Sequence, residues 1–357
     1  MDFRQYQSII LNGKIFTENN IDELIEYDNG SLKEFLKQWM NNDAEITVHT
    51  SGSTGSPKPI LVTKNAMLAS AKRTIDFFEL KKGMTALICL PTSYIAGKMM
   101  VVRAIMGQLN LITSPPSSHP LKLINTIIDF AAFTPMQIMN EIKMASPELK
   151  YLKKIIIGGG KVNALLDEML QSQDFEAYET YGMTETLSHI ALRRINGKNK
   201  QNAFMPLNNI KLLTDNRGCL TINIPDITKD FIISNDIAEI LSDGSFIIKG
   251  RADNIINSGG IKISPEDLEE KIHHLLPMPF IFSSIKNENL GQQLVLVIEK
   301  ETDFSAGLLI KIKNILPKHQ APKHIYVLNN FPRTTSGKIK RKQIESELET
   351  SNPIYTL

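Results

Sequence analysis

The sequence predicts an α/β protein: a large N-terminal domain on mostly parallel, helix-covered sheets with a β-rich segment, then a small α+β C-terminal domain. One alternation and two changes of pattern carry that expectation. From about residue 45 to 181, short apolar runs alternate with stretches of helical period, which argues for parallel strands covered on both faces. After about residue 202, short β segments follow one another across Asp-Asn-Arg-Gly and Asp-Gly turn signals. Beyond Arg251, helix, strand, strand, helix and strand succeed each other, enough for an independent unit. The domains are therefore read as residues 1–250 and 251–357.

The elements follow from local chemistry. Ser31 can cap a first helix in which Leu32, Phe35, Leu36 and Met40 recur at helical spacing. Residues 64–78 put Met67, Leu68, Ala71, Ile75 and Phe78 on one helical face, and 85–90 read as a short buried strand. Residues 97–106 are helical, 109–113 strand-like, and 121–130 and 136–144 helical again. Ile155, Ile156 and Ile157 form a strand that runs into three glycines. The later β segments are 210–213, 219–224, 237–241 and 245–249. Ser264-Pro265-Glu266-Asp267 then opens a helix with a cap, a proline at the first position and acids in the first turn. Strands at 280–285 and 294–298, a helix near 308–316 and a strand at 325–328 complete the reading.

Composition narrows the function classes. Hydrophobic residues at 42% and charged residues at 22% are ordinary for a globular chain of 357 residues, long enough for two domains. A net charge of +2 is too small for a general polyanion binder, so no nucleic-acid partner is expected. Two cysteines, Cys89 and Cys219, support neither a disulfide framework nor a zinc site. Residues 1–10 lack the layout of a signal peptide, and no uninterrupted apolar run suits a membrane span. The expectation is a soluble cytoplasmic protein.

Four stretches carry chemistry. In Thr50-Ser51-Gly52-Ser53-Thr54-Gly55-Ser56-Pro57-Lys58, two glycines free the backbone, N–H groups and hydroxyls can ring an anion, and Lys58 adds a cation. Ser56 and Pro57 separate Gly55 from Lys58, so this is not a Walker P-loop. In Tyr181-Gly182-Met183-Thr184-Glu185-Thr186, an aromatic, a hydroxyl and a carboxylate would suit a base-stacking surface beside a phosphate and Mg²⁺, although the hexamer also reads as a turn. Gly158, Gly159 and Gly160 permit close approach of a flat ligand or simply end a strand.

The third stretch runs from Gly250-Arg251 through Asp253 to Gly259-Gly260, with Asp236 one β segment upstream. An acidic side chain can take both hydroxyls of a ribose and an arginine can bind phosphate, while Asp236 by itself also reads as a turn residue. The fourth, Pro332-Arg-Thr-Thr-Ser-Gly-Lys338, can present a lysine as a point charge on a loop; with Lys340, Arg341 and Lys342 it also reads as a basic surface.

Together, in this order, the four stretches resemble the adenylate-forming superfamily of acyl-CoA synthetases, peptide-synthetase adenylation domains and firefly-type luciferases. The resemblance covers about residue 45 to the end, and it implies a hinge between the two domains, near Arg251. It implies ATP, Mg²⁺ and coenzyme A, with a small carboxylic acid as the other substrate. Thr50, Ser51, Gly52, Ser53, Thr54, Gly55 and Lys58 would hold the β- and γ-phosphates, and Glu185 the Mg²⁺. Tyr181, Gly182 and Gly158, Gly159 and Gly160 would frame the adenine, with Thr184 near the α-phosphate. Asp236, helped by Arg251, would hold the ribose; Asp253 would be the hinge; Gly259 and Gly260 would lie near the pantetheine tunnel. Lys338 would bridge the acid and the α-phosphate.

This chain departs from the family in its shorter stretch ahead of the phosphate loop, in Ser-Asn-Asp236 where Thr-Gly-Asp is common, and in Tyr94 at a gate often aromatic or His. Within the superfamily, residues 90–103 and 181–192 resemble most the short o-succinylbenzoate–CoA ligases of menaquinone biosynthesis. That substrate needs an apolar wall, from Tyr94, Gly97, Met99 and Ile190, and a further cation, from Lys98, Arg103 or His189. Each of the latter three also reads as a solvated or packed residue. Another aryl- or acyl-CoA synthetase, or a non-catalytic nucleotide-binding relative, are the alternatives.

Overall fold

A computed structural model describes residues 1–25, 27, 30–49, 59–276, 278–299, 306–334 and 339–356. Its contacts divide the chain into two units: Met1–Lys211 with Ile222–Ile232 and Asp243–Ser245, and Leu212–Thr221 with Ile233–Ser242 and Phe246–Leu357. The stretch 50–58, the stretch 335–338 and therefore Lys338 lie outside the described residues.

The first unit runs β1 (Ile9–Leu11), β2 (Lys14–Phe16), α1 (Ser31–Met40), β3 (Glu45–His49), β4 (Pro59–Thr63), α2 (Lys64–Phe78), β5 (Thr85–Ile88) and α3 (Ile95–Gly107). It continues through β6 (Asn110–Thr113), β7 (Ile128–Phe133), α4 (Pro135–Lys143), β8 (Leu152–Ile157), α5 (Ala164–Leu170), β9 (Glu176–Gly182), β10 (His189–Arg194) and β11 (Met205–Pro206). Nine strands form one sheet in the order β11-β10-β9-β8-β7-β5-β6-β1-β2. The six from β9 to β1 pair in parallel, while β10 and β11 at one end and β2 at the other pair antiparallel.

Period two decides why the central strands read as continuous apolar runs. Ala86 and Ile88 enter one core with Phe130, Ala132 and Ile156, beside Leu36 of α1, Met67 of α2 and Val102 of α3. Leu87 enters the other with Ala131, Phe133, Ile155 and Ile157, beside Ile138 of α4 and Leu166 of α5. Both faces of the sheet are thus covered, as the alternation predicts. Thr134 starts α4 with a capping box: its hydroxyl accepts from the Gln137 N–H, and the Gln137 side chain accepts from the Thr134 N–H.

Two local expectations are corrected. Ser31 is the first helical residue and not the cap; Gly30 precedes it at φ 89°, and the Ser31 hydroxyl instead meets Thr92 Oγ1 at 2.9 Å. Residues 121–127 form turns and not a helix, and β7 begins at Ile128. Leu121 and Ile124 are buried, but a single turn closed by the Ile124 N–H on the Leu121 carbonyl produces the same i, i+3 spacing as a helix.

The next strands are β12 (Lys211–Thr214), β13 (Cys219–Asn223), β14 (Ile232–Ile240) and β15 (Phe246–Arg251), a four-stranded sheet in that order that gives most of its residues to the second unit. Then come β16 (Ile256–Ser258), β17 (Ile261–Ile263), α6 (Pro265–Ile272), β18 (Phe280–Asn287), β19 (Gly291–Glu299), α7 (Ala306–Ile315), β20 (His324–Leu328), α8 (Arg341–Leu348) and β21 (Tyr355–Thr356). Ser264 caps α6 as its sequence predicts, accepting from the Asp267 N–H. Six strands make a second sheet here, with β18 and β20 on either side of β19. No helix among the described residues is long and apolar enough to cross a membrane.

Candidate active site

In an open parallel sheet, ligands gather outside the carboxyl ends of the strands. In the first unit that edge carries Gly158, Gly159 and Gly160 after β8, Tyr181 and Gly182 at the end of β9, and Tyr94 and Gly97 after β5. Gly158 packs against β9: a Cβ there would lie 2.5 Å from Thr180 Oγ1. Gly159 has φ +79°, which favours glycine. Gly182 faces backbone, since a Cβ would fall 2.4 Å from the Ser188 carbonyl oxygen. The Tyr181 ring sits 6.0 Å from that of Phe204.

Thr184 is buried and Glu185 exposed on a short 3-10 turn, Thr184–Thr186. Thr186, which ends the motif but was given no role from the sequence, ties that turn: its hydroxyl accepts from the Met183 N–H, and its one proton is shared between the Met183 and Ser188 carbonyls, at 2.9 and 2.7 Å. No group of three His, Cys, Asp or Glu side chains gathers for a metal among the described residues. One exposed carboxylate fits Mg²⁺ shared with phosphates and water, the usual arrangement for that ion.

Beside this edge, α2, α3 and β10 enclose a polar cluster. Arg103 is 2% exposed; its Nε donates to Thr74 Oγ1 at 3.1 Å, one Nη donates to Ser188 Oγ, and the same nitrogen lies 3.5 Å from His189 Nδ1. Thr74 Oγ1 is also 3.0 Å from His189 Nε2. Among the described residues Arg103 has no carboxylate partner. Burial lowers its pKa to about 9, so it remains charged at neutral pH. Burial first, and the Arg103 charge second, hold His189 well below the usual histidine range. Thr74 and Ser188 were not singled out from the sequence; Thr74 sits on the buried side of α2 with nothing local to mark it.

The other expected acid-pocket residues are dispersed. Lys98 is buried with its ammonium 4.6 Å from the Phe35 ring centre. Gly97 faces the turn after β5, where a Cβ would lie 2.3 Å from the Pro91 carbonyl oxygen, so its smallness serves helix–turn contact. Met99 and Ile190 are fully buried. Tyr94 is 40% exposed and lines an open cavity of about 530 Å³ with Tyr27, Ser31, Pro91, Ser93, Pro115 and Pro116.

In the second unit, register places Asp236 of β14 opposite Arg251 of β15, and Arg251 Nη1 donates to Asp236 Oδ1 at 3.0 Å. Arg251 Nε and Nη2 bind both Asp253 oxygens, at 2.9 and 2.8 Å. The Asp253 hydrogen bonds raise the Arg251 pKa; Asp253, which burial alone would raise, is held below the usual carboxylate range by the Arg251 hydrogen bonds and charge. Arg251 thus orients a carboxylate on either side of it. Gly259 (φ +59°) and Gly260 (φ +85°) make the turn between β16 and β17, and the Gly259 N–H donates to the Leu290 carbonyl.

The flanks of 335–338 are held as well. Arg333 and Ile339 form an antiparallel bridge; Arg333 grips the buried Glu299 carboxylate with both terminal nitrogens, one at 2.7 Å. Arg341 binds both oxygens of Glu269, at 2.9 and 2.6 Å.

A doubly covered parallel sheet carries glycines, an aromatic and a Thr-Glu pair at its carboxyl edge, the place where open α/β sheets bind their ligands. The family model for AMP-binding enzymes matches residues 10–223, and the chain belongs to that family. More particularly, it is 27% identical over 356 residues to 2-succinylbenzoate–CoA ligase of Staphylococcus epidermidis, covering 92% of this chain and 74% of that one. It is 33% identical to the crystal structure of an acyl-CoA synthetase (AMP-forming)/AMP-acid ligase II-like protein from Dyadobacter fermentans, with TM-score 0.62 over 93% of this chain and 98% of the other. The fold is shared with o-succinylbenzoate CoA synthetase (MenE) from Bacillus subtilis. Its complex with ATP and magnesium gives TM-score 0.72 at 19% identity, covering 86% of this chain and 74% of that one. Its complex with the acyl-adenylate OSB-AMP gives 0.73 at 20%, covering 86% and 69%.

Proposed function

We propose that this chain is an AMP-forming acid–CoA ligase that converts o-succinylbenzoate to o-succinylbenzoyl-CoA for menaquinone biosynthesis. The observation that carries the choice of acid is Arg103. A buried guanidinium without a carboxylate partner is costly to maintain and is matched by an anionic ligand. o-Succinylbenzoate carries a second carboxylate on its ring, and benzoates or fatty acids do not. The kinship with ligases named for that acid supports the same reading.

In the first half-reaction the succinyl carboxylate oxygen bonds to the α-phosphorus of ATP and the bond to pyrophosphate breaks. In the second the thiol of coenzyme A bonds to the acyl carbon and AMP leaves. Such chemistry is mostly positioning and charge neutralisation. Mg²⁺, held through Glu185, neutralises the departing phosphates. Residues 50–58 cradle the β- and γ-phosphates, and Thr184 meets the α-phosphate. Gly158, Gly159, Gly160, Tyr181 and Gly182 frame the adenine. Asp236, oriented by Arg251, takes the ribose hydroxyls. Lys338 draws the acid and the α-phosphate together. The domain 251–357 then turns at Asp253 and brings Gly259 and Gly260 to the pantetheine. We assign the reaction to the cytoplasm, which supplies ATP and coenzyme A and suits two buried, unbridged cysteines.

The test supplies purified protein with ATP, Mg²⁺, coenzyme A and a panel of acids, and follows AMP and acyl-CoA. o-Succinylbenzoate is expected to exceed benzoate, coumarate and medium-chain fatty acids in kcat/KM by at least about 100-fold, because a buried polar site left unpaired penalises the wrong acid. Comparable rates for benzoate or a fatty acid would sink the assignment.

A further inference from the structure

Glu179, on β9 two residues before Tyr181, is 4% exposed, and its two oxygens serve different elements. Oε1 accepts from the Val162 N–H at 2.8 Å, two residues beyond Gly160. Oε2 accepts from Arg193 Nε at 3.0 Å and Nη2 at 2.7 Å, directly across the β9–β10 register. Arg193 in turn lies over the Phe204 ring at 5.9 Å, and Phe204 packs against Tyr181. Its remaining terminal nitrogen reaches Asp167 of α5 at 3.6 Å, an ion pair that Lys200 shares.

One buried carboxylate therefore touches the 158–162 segment directly and Tyr181 through an arginine and a ring. Those are the two walls assigned above to the adenine. We infer that Glu179 is a positioning residue which sets the separation of these walls and so tunes affinity for the adenine nucleotide, without touching it. The inference rests on the adenine assignment of the proposed function. A flat slot tolerates little misplacement, since a shift of one wall leaves the base with contact on one face only. A carboxamide at 179 keeps an acceptor for the Val162 N–H but removes the charge that holds the Arg193 fork.

The experiment measures ATP binding by calorimetry and, separately, the KM for ATP and for the acid in wild type, Glu179→Gln and Arg193→Met. In both variants the Kd and KM for ATP are expected to rise about tenfold, with the KM for the acid and kcat at saturating ATP within about twofold. The double variant should bind ATP little worse than either single one, because both break the same link. Loss of thermal stability with unchanged ATP affinity would overturn the inference and leave Glu179 a purely structural ion pair; so would KM values for ATP and acid that rise together. If Glu179→Gln fails to fold, Arg193→Lys, which keeps the charge but not the fork, decides the matter by the same readout. Calorimetry with ATP alone separates this result from the acid panel, which can fail while the adenine walls stand.

Discussion

Arg103 holds a charge in the interior with two hydroxyls, a methionine sulfur and a neutral imidazole around it. Replacing it by methionine should lower kcat/KM for o-succinylbenzoate about 100-fold while changing that for benzoate less than about threefold, as parallel progress curves for the two acids would show. Equal losses would assign Arg103 a structural role only. His189 makes a second prediction. Its folded pKa lies well below 6.5, so below about pH 6.5 the unfolded chain binds a proton that the native one refuses. Stability therefore falls as pH falls through that range, by up to about 1.4 kcal/mol per pH unit for this residue, and is insensitive to it above. Urea unfolding at pH 7.5 and 5.5 should show a smaller drop in His189→Asn than in wild type.

At the scale of elements, close backbone approach decides where glycine is required. Gly182 joins β9 to the Thr184–Thr186 turn while pressed against the Ser188 backbone, and backbone cannot swing aside as a side chain does. Gly182→Ala should cost about 2–3 kcal/mol in chemical unfolding and weaken ATP binding with it. The α6–α8 link behaves differently. Burial lifts the Glu269 carboxyl above its usual range, and the paired Arg341 is held above its own by that carboxylate despite burial. Arg341→Met should lose about 2–3 kcal/mol because it strands Glu269, and adding Glu269→Met should recover most of it. A double variant no better than the single one would mean that the pair contributes net attraction.

For the molecule as a whole, the test is to separate the half-reactions. Lys338→Ala should slow acyl-adenylate formation about 10²- to 10³-fold, since a charge aimed at developing negative charge is worth roughly 3–4 kcal/mol, and spare thioester formation from preformed acyl-adenylate. Asp253→Pro should do the reverse, leaving adenylation measurable and impairing thioester formation, because proline restricts the backbone change a hinge must absorb. Rapid-quench assays of each half on its own distinguish these outcomes. Variants that slow both halves equally would refute a two-conformation cycle.

The α/β class, the AMP-binding family and part of the element order were legible in the sequence because each depends on residues close together along the chain. Ile155, Ile156 and Ile157 before three glycines, Ser264 before Pro265, and Tyr181 through Glu185 all state their chemistry within a few positions. Where one spacing serves two structures, as Leu121 and Ile124 do in a turn, local pattern misled. The surroundings of Arg103 were not legible at all: Thr74 and Ser188 reach it from 29 and 85 positions away. Nothing in a lone threonine on a helix marks it as the partner of a buried arginine. Nor does Glu179, inside a strand, announce that its two oxygens face a loop and a neighbouring strand. Only the packing of α2, α3, β9 and β10 around shared polar groups decided those pairings, because a buried charge takes whatever donors and acceptors the fold brings to it.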